Sequence, residues 1–120
     1  MTPFGRKVRE LRREKGVTLK DMAAALHVSS AYLSALEHGK RGRPTPMLIH
    51  QICGYFNIIW DDAEELSKLA DLSHPKVTID TSGLQPAATE LANLLSRKIA
   101  QLKEEELVSL LSQIRDAEPE

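Results

Sequence analysis

Apolar residues recur at helical spacing near the start of the chain. Between residues 3 and 15 they lie at Phe4, Val8 and Leu11, with arginine and lysine around them. Gly16 follows, at a place where a helix commonly ends because glycine adopts the left-handed backbone conformation without steric cost. The pattern predicts a first helix over residues 3–15.

Two shorter apolar patterns follow, and each is preceded by a hydroxyl residue that can cap a helix. Thr18 precedes the pattern of residues 19–26, and Ser29 precedes that of residues 31–38, which ends at Gly39. Two short helices joined by a tight turn predict a helix-turn-helix unit.

The apolar and polar positions of this unit divide into two sets. The set that joins the two helices consists of Leu19, Met22, Ala23, Leu26, Val28, Leu33 and Leu36. The remaining positions of the third predicted helix are Ser30, Ala31, Tyr32, Ser34, Ala35 and His38. Nothing in the pattern requires the second set to be buried, so these side chains are available to a groove.

Two further helices complete the first half of the chain. Pro46 opens a fourth apolar pattern, for which Asn57 is the expected stop. Asp61 with Glu64 forms a capping pair before a fifth pattern that runs to residue 72. Both helices are expected to build the core.

Composition excludes several classes of protein. The 120 residues suffice for a single core, and the single cysteine, Cys53, excludes an internal disulfide framework. The apolar runs are far shorter than the roughly 20 residues of a membrane span, and the first residues lack the apolar core of a signal peptide. We therefore expect a cytoplasmic protein that has no contact with a membrane.

No catalytic or metal-binding arrangement is evident in the sequence. His50 and Cys53 lie one helical turn apart, but two ligands without a third make a poor zinc site. The four histidines are scattered, and no Ser/His/acid arrangement follows from their spacing. We expect no enzyme activity, no metal and no cofactor.

The formal net charge of −1 hides an asymmetry between the two halves. Residues 1–60 carry a net charge of +6, and residues 61–120 carry −7. The ten basic residues of the first half are Arg6, Lys7, Arg9, Arg12, Arg13, Lys15, Lys20, Lys40, Arg41 and Arg43. This division indicates that one half meets a polyanion, although charge can also simply solvate helix surfaces.

Residues 8 to about 66 resemble the helix-turn-helix domain of the Cro and lambda-repressor type, often called the XRE family. The matching stretches are LRREKGVT at residues 11–18, Met22-Ala23, and LSALEHGKR at residues 33–41. The resemblance implies a five-helix domain whose third helix enters the DNA major groove, with phosphates held at the start of the second helix and in the loop after the third. It also implies a structural or positioning role for Glu37.

The resemblance carries a set of DNA-binding positions onto this chain. They are Thr18, Lys20, Ser29, Ser30, Ala31, Tyr32, Ser34, Ala35, His38, Lys40, Arg41 and Arg43. Three departures from the family pattern stand out. Leu19 replaces a usual glutamine, His27 replaces the usual glycine of the turn, and the base-reading positions carry small side chains. His27 is expected to have a positive φ, and direct readout is expected to depend on serine hydroxyls and alanine methyl groups.

The loop at residues 40–44 contains Arg41-Gly42-Arg43-Pro44, which resembles the core of an AT-hook. In such a segment the arginines lie along the floor of an A·T-rich minor groove and the proline directs the chain outward. The alternative is a basic loop that contacts only phosphates.

The second half begins with a predicted strand and continues with helices. Residues 76–80 have β-branched side chains at alternating positions, which predicts a short strand whose partner is the same strand of a second copy. The alternative is that this segment is an extended linker. Pro86 opens a long helix, and a change of apolar phase near Lys103 predicts a break before a second one. These leucine stripes must pack on each other, on the DNA-binding core or on a second copy, and we favour a second copy. The predicted dimerisation residues are Val77, Thr78, Ile79, Leu91, Leu95, Ile99, Leu102, Leu107, Leu110, Leu111 and Ile114.

The sequence thus predicts an all-α protein in three parts. Residues 1–72 form the helix-turn-helix domain, residues 73–85 a linker with the strand at 76–80, and residues 86–120 a helical dimerisation region. The expected function is that of a sequence-specific regulator of transcription, with repression favoured over activation. It would act as a nucleoid-associated homodimer that binds double-stranded DNA at an inverted repeat with A·T-rich flanks. The alternative is an antitoxin or anti-activator whose acidic second half binds another protein.

Overall fold

The computed structural model describes residues 1–117, which are helical apart from turns and connecting segments. The chain divides into two compact units, Met1–Val77 and Thr78–Glu120. The first unit contains α1 (Pro3–Lys15), α2 (Leu19–Ala25), α3 (Ser30–Glu37), α4 (Pro46–Phe56) and α5 (Trp60–Asp71). The second contains α6 (Pro86–Lys98), a short 3-10 helix (Ile99–Gln101) and α7 (Glu104–Asp116).

The predicted starts of α2 and α3 are confirmed. The Thr18 hydroxyl accepts the Asp21 backbone N–H at 3.0 Å, and the Asp21 carboxylate accepts the Thr18 backbone N–H at 3.1 Å. This reciprocal pair is a capping box. Before α3, the Ser29 hydroxyl accepts the backbone N–H of Tyr32 at 3.0 Å. Both helices therefore begin where their own side chains satisfy the first free N–H groups.

The predicted ends of the first four helices are also confirmed. Gly16, His27, Gly39 and Asn57 follow α1, α2, α3 and α4, and each has a φ between 56° and 75°. In this left-handed conformation the chain turns away from the helix, and the next N–H groups bond to its last free carbonyls. His27 adopts the positive φ expected at the position of the usual glycine.

The prediction for the start of α5 is wrong. The helix begins at Trp60, its preceding residue is Ile59, and no side chain caps it, so Asp61 lies inside the first turn. Ile58 and Ala63 both pack against the core, and the chain must reverse within the few residues between them. Trp60 makes this reversal with a φ of 56°, although its side chain is 83% exposed.

The core of the first unit is formed by one face of each of its five helices. Steric contact decides at least one position, because a Cβ atom on Gly5 of α1 would collide with the carbonyl oxygen of Glu37 at the end of α3. Next to this contact, the Ser73 hydroxyl after α5 accepts the Phe4 backbone N–H at 2.9 Å and donates to the Leu69 carbonyl at 2.6 Å. The buried apolar residues are Phe4, Val8, Met22, Ala23, Leu26, Leu33, Leu36, Leu48, Ile49, Ile52, Cys53, Leu66 and Ala70.

The predicted strand at residues 76–80 is not found. These residues have no regular secondary structure, and Val77, Thr78 and Ile79 are exposed. Among residues 1–117 there is no strand that could supply the backbone hydrogen bonds of a ladder. The alternation of β-branched residues is therefore insufficient by itself to form a strand.

The second unit has no buried residue in its helices. The predicted break is confirmed, because α7 starts after Lys103, whose backbone N–H donates to the Glu106 carboxylate at 3.0 Å. The apolar stripes are present and only partly covered. Leu91, Ile99 and Ile114 are 55%, 53% and 62% exposed, whereas Leu95, Leu102, Leu107 and Leu110 are half-buried. These two helices have no apolar core of their own within the described residues.

Candidate nucleic-acid interface

The candidate interface combines the start of α2, the outer face of α3 and the loop that follows α3. None of the twelve predicted DNA-binding residues is buried. Those at half-buried positions are Ser30, Tyr32, Ser34 and Ala35, and those at exposed positions are Thr18, Lys20, Ser29, Ala31, His38, Lys40, Arg41 and Arg43.

The start of α2 offers donors to an anion, but fewer than the sequence suggested. The capping box already occupies the Thr18 and Asp21 backbone N–H groups. The hydrogen bonds from the Thr18 backbone and side chain lower the pKa of the Asp21 carboxyl, which stays ionised near the site. The donors that remain at this first turn are the Thr18 hydroxyl, which only accepts in the capping box, the backbone N–H groups of Leu19 and Lys20, and the exposed Lys20 ammonium.

The outer face of α3 carries few long hydrogen-bonding side chains. Four of its side chains, Ser30, Ala31, Ser34 and Ala35, are small and offer hydroxyl or methyl groups, whereas Tyr32 and His38 are larger. At its end, His38 Nδ1 lies 2.9 Å from the Ser34 carbonyl oxygen. Because a carbonyl only accepts, Nδ1 carries the hydrogen, and Nε2 of a neutral ring is left as an acceptor. A helix with this face can approach the floor of a groove closely.

The end of α3 is held from below by a buried ion pair. Both terminal nitrogens of the Arg12 guanidinium donate to the Glu37 carboxylate, and the NH2–Oε1 distance is 3.2 Å. Arg12 is 7% exposed and Glu37 1% exposed. Thr2 adds two bonds to the Glu37 carbonyl oxygen, from its backbone N–H at 3.0 Å and its hydroxyl at 3.2 Å. These contacts set the position of α3 relative to α1.

Arg12 is thereby removed from the set of residues predicted to neutralise phosphate. Sequence reasoning missed its burial, although a signal was present. Phe4, Val8 and Arg12 are spaced four residues apart, so Arg12 continues the apolar stripe of α1 and faces the core. A second basic residue is also occupied, because the Lys15 ammonium donates to the Tyr55 carbonyl at 2.6 Å.

The loop after α3 holds its two arginines in different places. The Arg41 guanidinium lies 5.8 Å from the ring centroid of Tyr32 on α3. Arg43 forms an ion pair with Asp71 at the end of α5, with 2.5 Å between the nitrogen and the oxygen. Pro44 is fully buried and does not direct the chain outward as the AT-hook pattern predicts. The sequence contains no local signal for the contact between Arg43 and Asp71.

The charge asymmetry is smaller when the chain is divided as it folds. The first unit has a net charge of +3 and the second −4, compared with +6 and −7 for the two halves of the sequence. The difference arises from α5, whose five acidic residues belong to the first unit. The basic residues are concentrated near α3, in the loop at residues 40–43, and on α1.

No alternative site emerges elsewhere in the described part of the chain. Cys53 is buried, and its burial raises the pKa of the thiol. Among residues 1–117, no group of three or more His, Cys, Asp or Glu side chains is arranged to hold a metal ion. Over the same residues, the helices are too short and too polar to cross a membrane.

Comparison with known proteins gives one family and several relatives. The helix-turn-helix domain family matches residues 3–72. An uncharacterized HTH-type transcriptional regulator, RghRB of Bacillus subtilis (strain 168), is 37% identical over 62 residues, which are 52% of this chain and 45% of that protein. The HTH-type transcriptional repressor RghR of the same strain is 36% identical over 61 residues, 51% of this chain and 45% of that protein.

A third relative, the HTH-type transcriptional regulator DdrOP3 of Deinococcus deserti, is 52% identical over 42 residues, 35% of this chain and 30% of that protein. The aligned part of the chain thus spans less than half the length of each of these relatives. No solved structure gives a significant match.

Proposed function

The chain belongs to the helix-turn-helix domain family, and from that premise we propose that it is a sequence-specific DNA-binding regulator of transcription and not an enzyme. The names of its relatives support this proposal, since each is described as a transcriptional regulator or repressor. Repression by occupying a promoter is the mode we favour. As in the XRE type, α3 would read the major groove while the start of α2 and the following loop hold phosphates.

The observation that carries the proposal is the combination of small side chains at the base-reading positions of α3, Ser30, Ala31, Ser34 and Ala35, with a buried ion pair beneath the helix. The small side chains of this face allow the helix backbone to come close to the base edges. The buried pair between Arg12 and Glu37 fixes its angle. Exposed Lys40 and Arg41 lie directly after the helix, where they can reach phosphates on one side of a groove.

We further propose that two copies act together through the second unit. The exposed residues of the apolar stripes on α6 and α7, among them Leu91, Ile99 and Leu111, need a partner to remove them from water. The charges are compatible with a second copy, since α6 ends with Arg97 and Lys98 whereas α7 begins with Glu104, Glu105 and Glu106. In a two-fold arrangement the basic end of one copy can face the acidic end of the other. A dimer of this kind calls for an inverted repeat with half-sites roughly 10 base pairs apart or a multiple.

The DNA-binding proposal is tested by selection from randomised duplexes of about 30 base pairs at near-physiological salt, followed by measured affinities. Replacing Lys40 and Arg41 by alanine is expected to weaken binding and to lower the salt slope by about 0.9 for each phosphate that the variant no longer neutralises. The control replaces Lys68 and Lys76 by alanine, which removes the same charge from exposed positions outside both proposed interfaces. Selection of no motif by a folded protein would contradict the proposal.

The dimer proposal is tested by the mass of the full chain in solution. Leu91→Lys with Leu111→Lys places charge on both apolar stripes and should yield a monomer that binds the operator more weakly. Asn93→Lys with Gln113→Lys adds the same charge at exposed polar positions of the same helices and should leave the dimer intact.

A wild-type monomer would overturn the dimer. The uncovered acidic unit would then support the second candidate function, in which it binds a different protein, as an antitoxin or anti-activator does. Co-purification with a non-identical partner would identify that function.

A further inference from the structure

Asp71 lies where a carboxylate is electrostatically unfavourable unless it is paired. It is the last residue of α5, where the helix dipole presents its negative end. The Arg43 guanidinium supplies the compensating charge, 2.5 Å from the Asp71 carboxylate. Because a cation at this end of a helix also interacts favourably with the dipole, the contact has a physical reason beyond the pair itself.

The backbone on both sides of Arg43 is held in place. On the side of α3, the Lys40 N–H donates to the Ala35 carbonyl at 2.8 Å. On the side of α4, Pro44 is buried and the Thr45 hydroxyl accepts the Leu48 N–H at 3.2 Å. The two ends of the loop are therefore held in place, and the Arg43 side chain between them is 43% exposed.

The two arginines of the loop are thus separated in the free protein. Arg41 lies beside Tyr32 on α3, whereas Arg43 is held at α5. Arg43 can give its full charge to DNA only if it leaves Asp71. An ion pair with both partners about half exposed is weak enough for a phosphate or an A·T-rich minor groove to displace it.

We propose that Asp71 competes with DNA for Arg43, and that this competition lowers the affinity of the domain for its operator and its preference for A·T-rich flanks. This inference rests on the proposed DNA-binding function. It makes Asp71 a residue that sets affinity without touching DNA. Of the three basic residues in the loop, Arg43 is the one that is paired with a carboxylate in the free protein and becomes available when DNA displaces Asp71.

The test is the affinity of the full chain carrying Asp71→Asn for duplexes with A·T-rich and G·C-rich flanks. We expect binding two- to fivefold tighter per domain, with a larger gain on the A·T-rich duplex. Removal of any negative charge strengthens DNA binding somewhat, so the control is Asp62→Asn in the first turn of the same helix. The control should give a smaller gain, equal on both duplexes.

A double-mutant cycle separates competition from general electrostatics. In an Arg43→Ala background, Asp71→Asn should change affinity no more than Asp62→Asn does. Equal gains with and without Arg43, or weaker binding by Asp71→Asn, would overturn the inference, the latter because it would mean that Asp71 positions Arg43 for DNA. If the wild type selects no motif, the proposed function fails first, and this inference fails with it.

Discussion

The buried pair between Arg12 and Glu37 gives the sharpest prediction about stability. Glu37 is 1% exposed, so Arg12→Met leaves a buried carboxylate without its cation. Arg12 is 7% exposed, so Glu37→Leu leaves a buried guanidinium without its anion. A further neighbour of the guanidinium is the Met22 sulfur, at 4.0 Å from NH1, which cannot replace a carboxylate. Each single replacement therefore leaves an unpaired charge buried in the core.

The expected magnitude follows from the burial of both partners. Breaking a buried pair from one side costs about 3–5 kcal/mol, whereas replacing both partners by apolar residues is often neutral or stabilising by about 1–4 kcal/mol. Domains of this size have about 5–15 kcal/mol of total stability, so each single variant should be marginally folded. The double variant, Arg12→Met with Glu37→Leu, should recover most of the loss.

Urea denaturation followed by circular dichroism measures the four free energies of unfolding of this cycle. The matched control is the exposed pair of Glu64 and Lys68 on α5, with 3.6 Å between its charged atoms. Glu64→Leu with Lys68→Met should show a coupling below about 0.5 kcal/mol. A loss under about 1 kcal/mol in each single core variant would refute the reasoning, since the pair would then behave as a surface pair.

Three further outcomes are expected. Gly5→Ala should lower the free energy of unfolding by at least about 2 kcal/mol, because the new Cβ meets the backbone at the end of α3. Gly54→Ala, at a position of α4 with open space around it, should raise the free energy of unfolding by about 0.5–1 kcal/mol. Equal effects of the two variants in urea denaturation would contradict the close approach of α1 to α3. The Asp21 carboxyl has a lowered pKa because of its hydrogen bonds with Thr18, so its contribution to stability is present above the pKa of the unfolded chain and is lost as the pH falls through the folded value. The difference in free energy of unfolding between wild type and Asp21→Asn should then be constant from about pH 5 to 8 and shrink below about pH 4. A difference that grows in acid would mean that folding raises the pKa of Asp21. Trp60→Asn should raise stability by about 0.5–1.5 kcal/mol in thermal or urea unfolding, because asparagine tolerates the left-handed conformation and little burial is lost; a loss would show that the indole stabilises the fold.

The sequence identified most of the first unit because its signals are local. Thr18 and Ser29 bond to N–H groups three residues away, and Gly39 and Asn57 turn the chain within one helical turn. Such contacts form inside a short segment whatever the rest of the chain does. The same locality explains why the exposed residues of α3 could be proposed as an interface from the spacing of apolar residues alone.

Only the tertiary structure decided which charged residues remain available to a ligand. Arg12 and Glu37 are 25 residues apart in sequence, so neither helix by itself indicates the pair. The Asp71 carboxylate reaches Arg43 only when α5 folds back beside the loop. Two wrong predictions, the start of α5 and the strand at residues 76–80, have the same cause. Strands, buried ion pairs and tight reversals depend on partners distant in sequence, whereas helices and their caps are determined by neighbours along the chain.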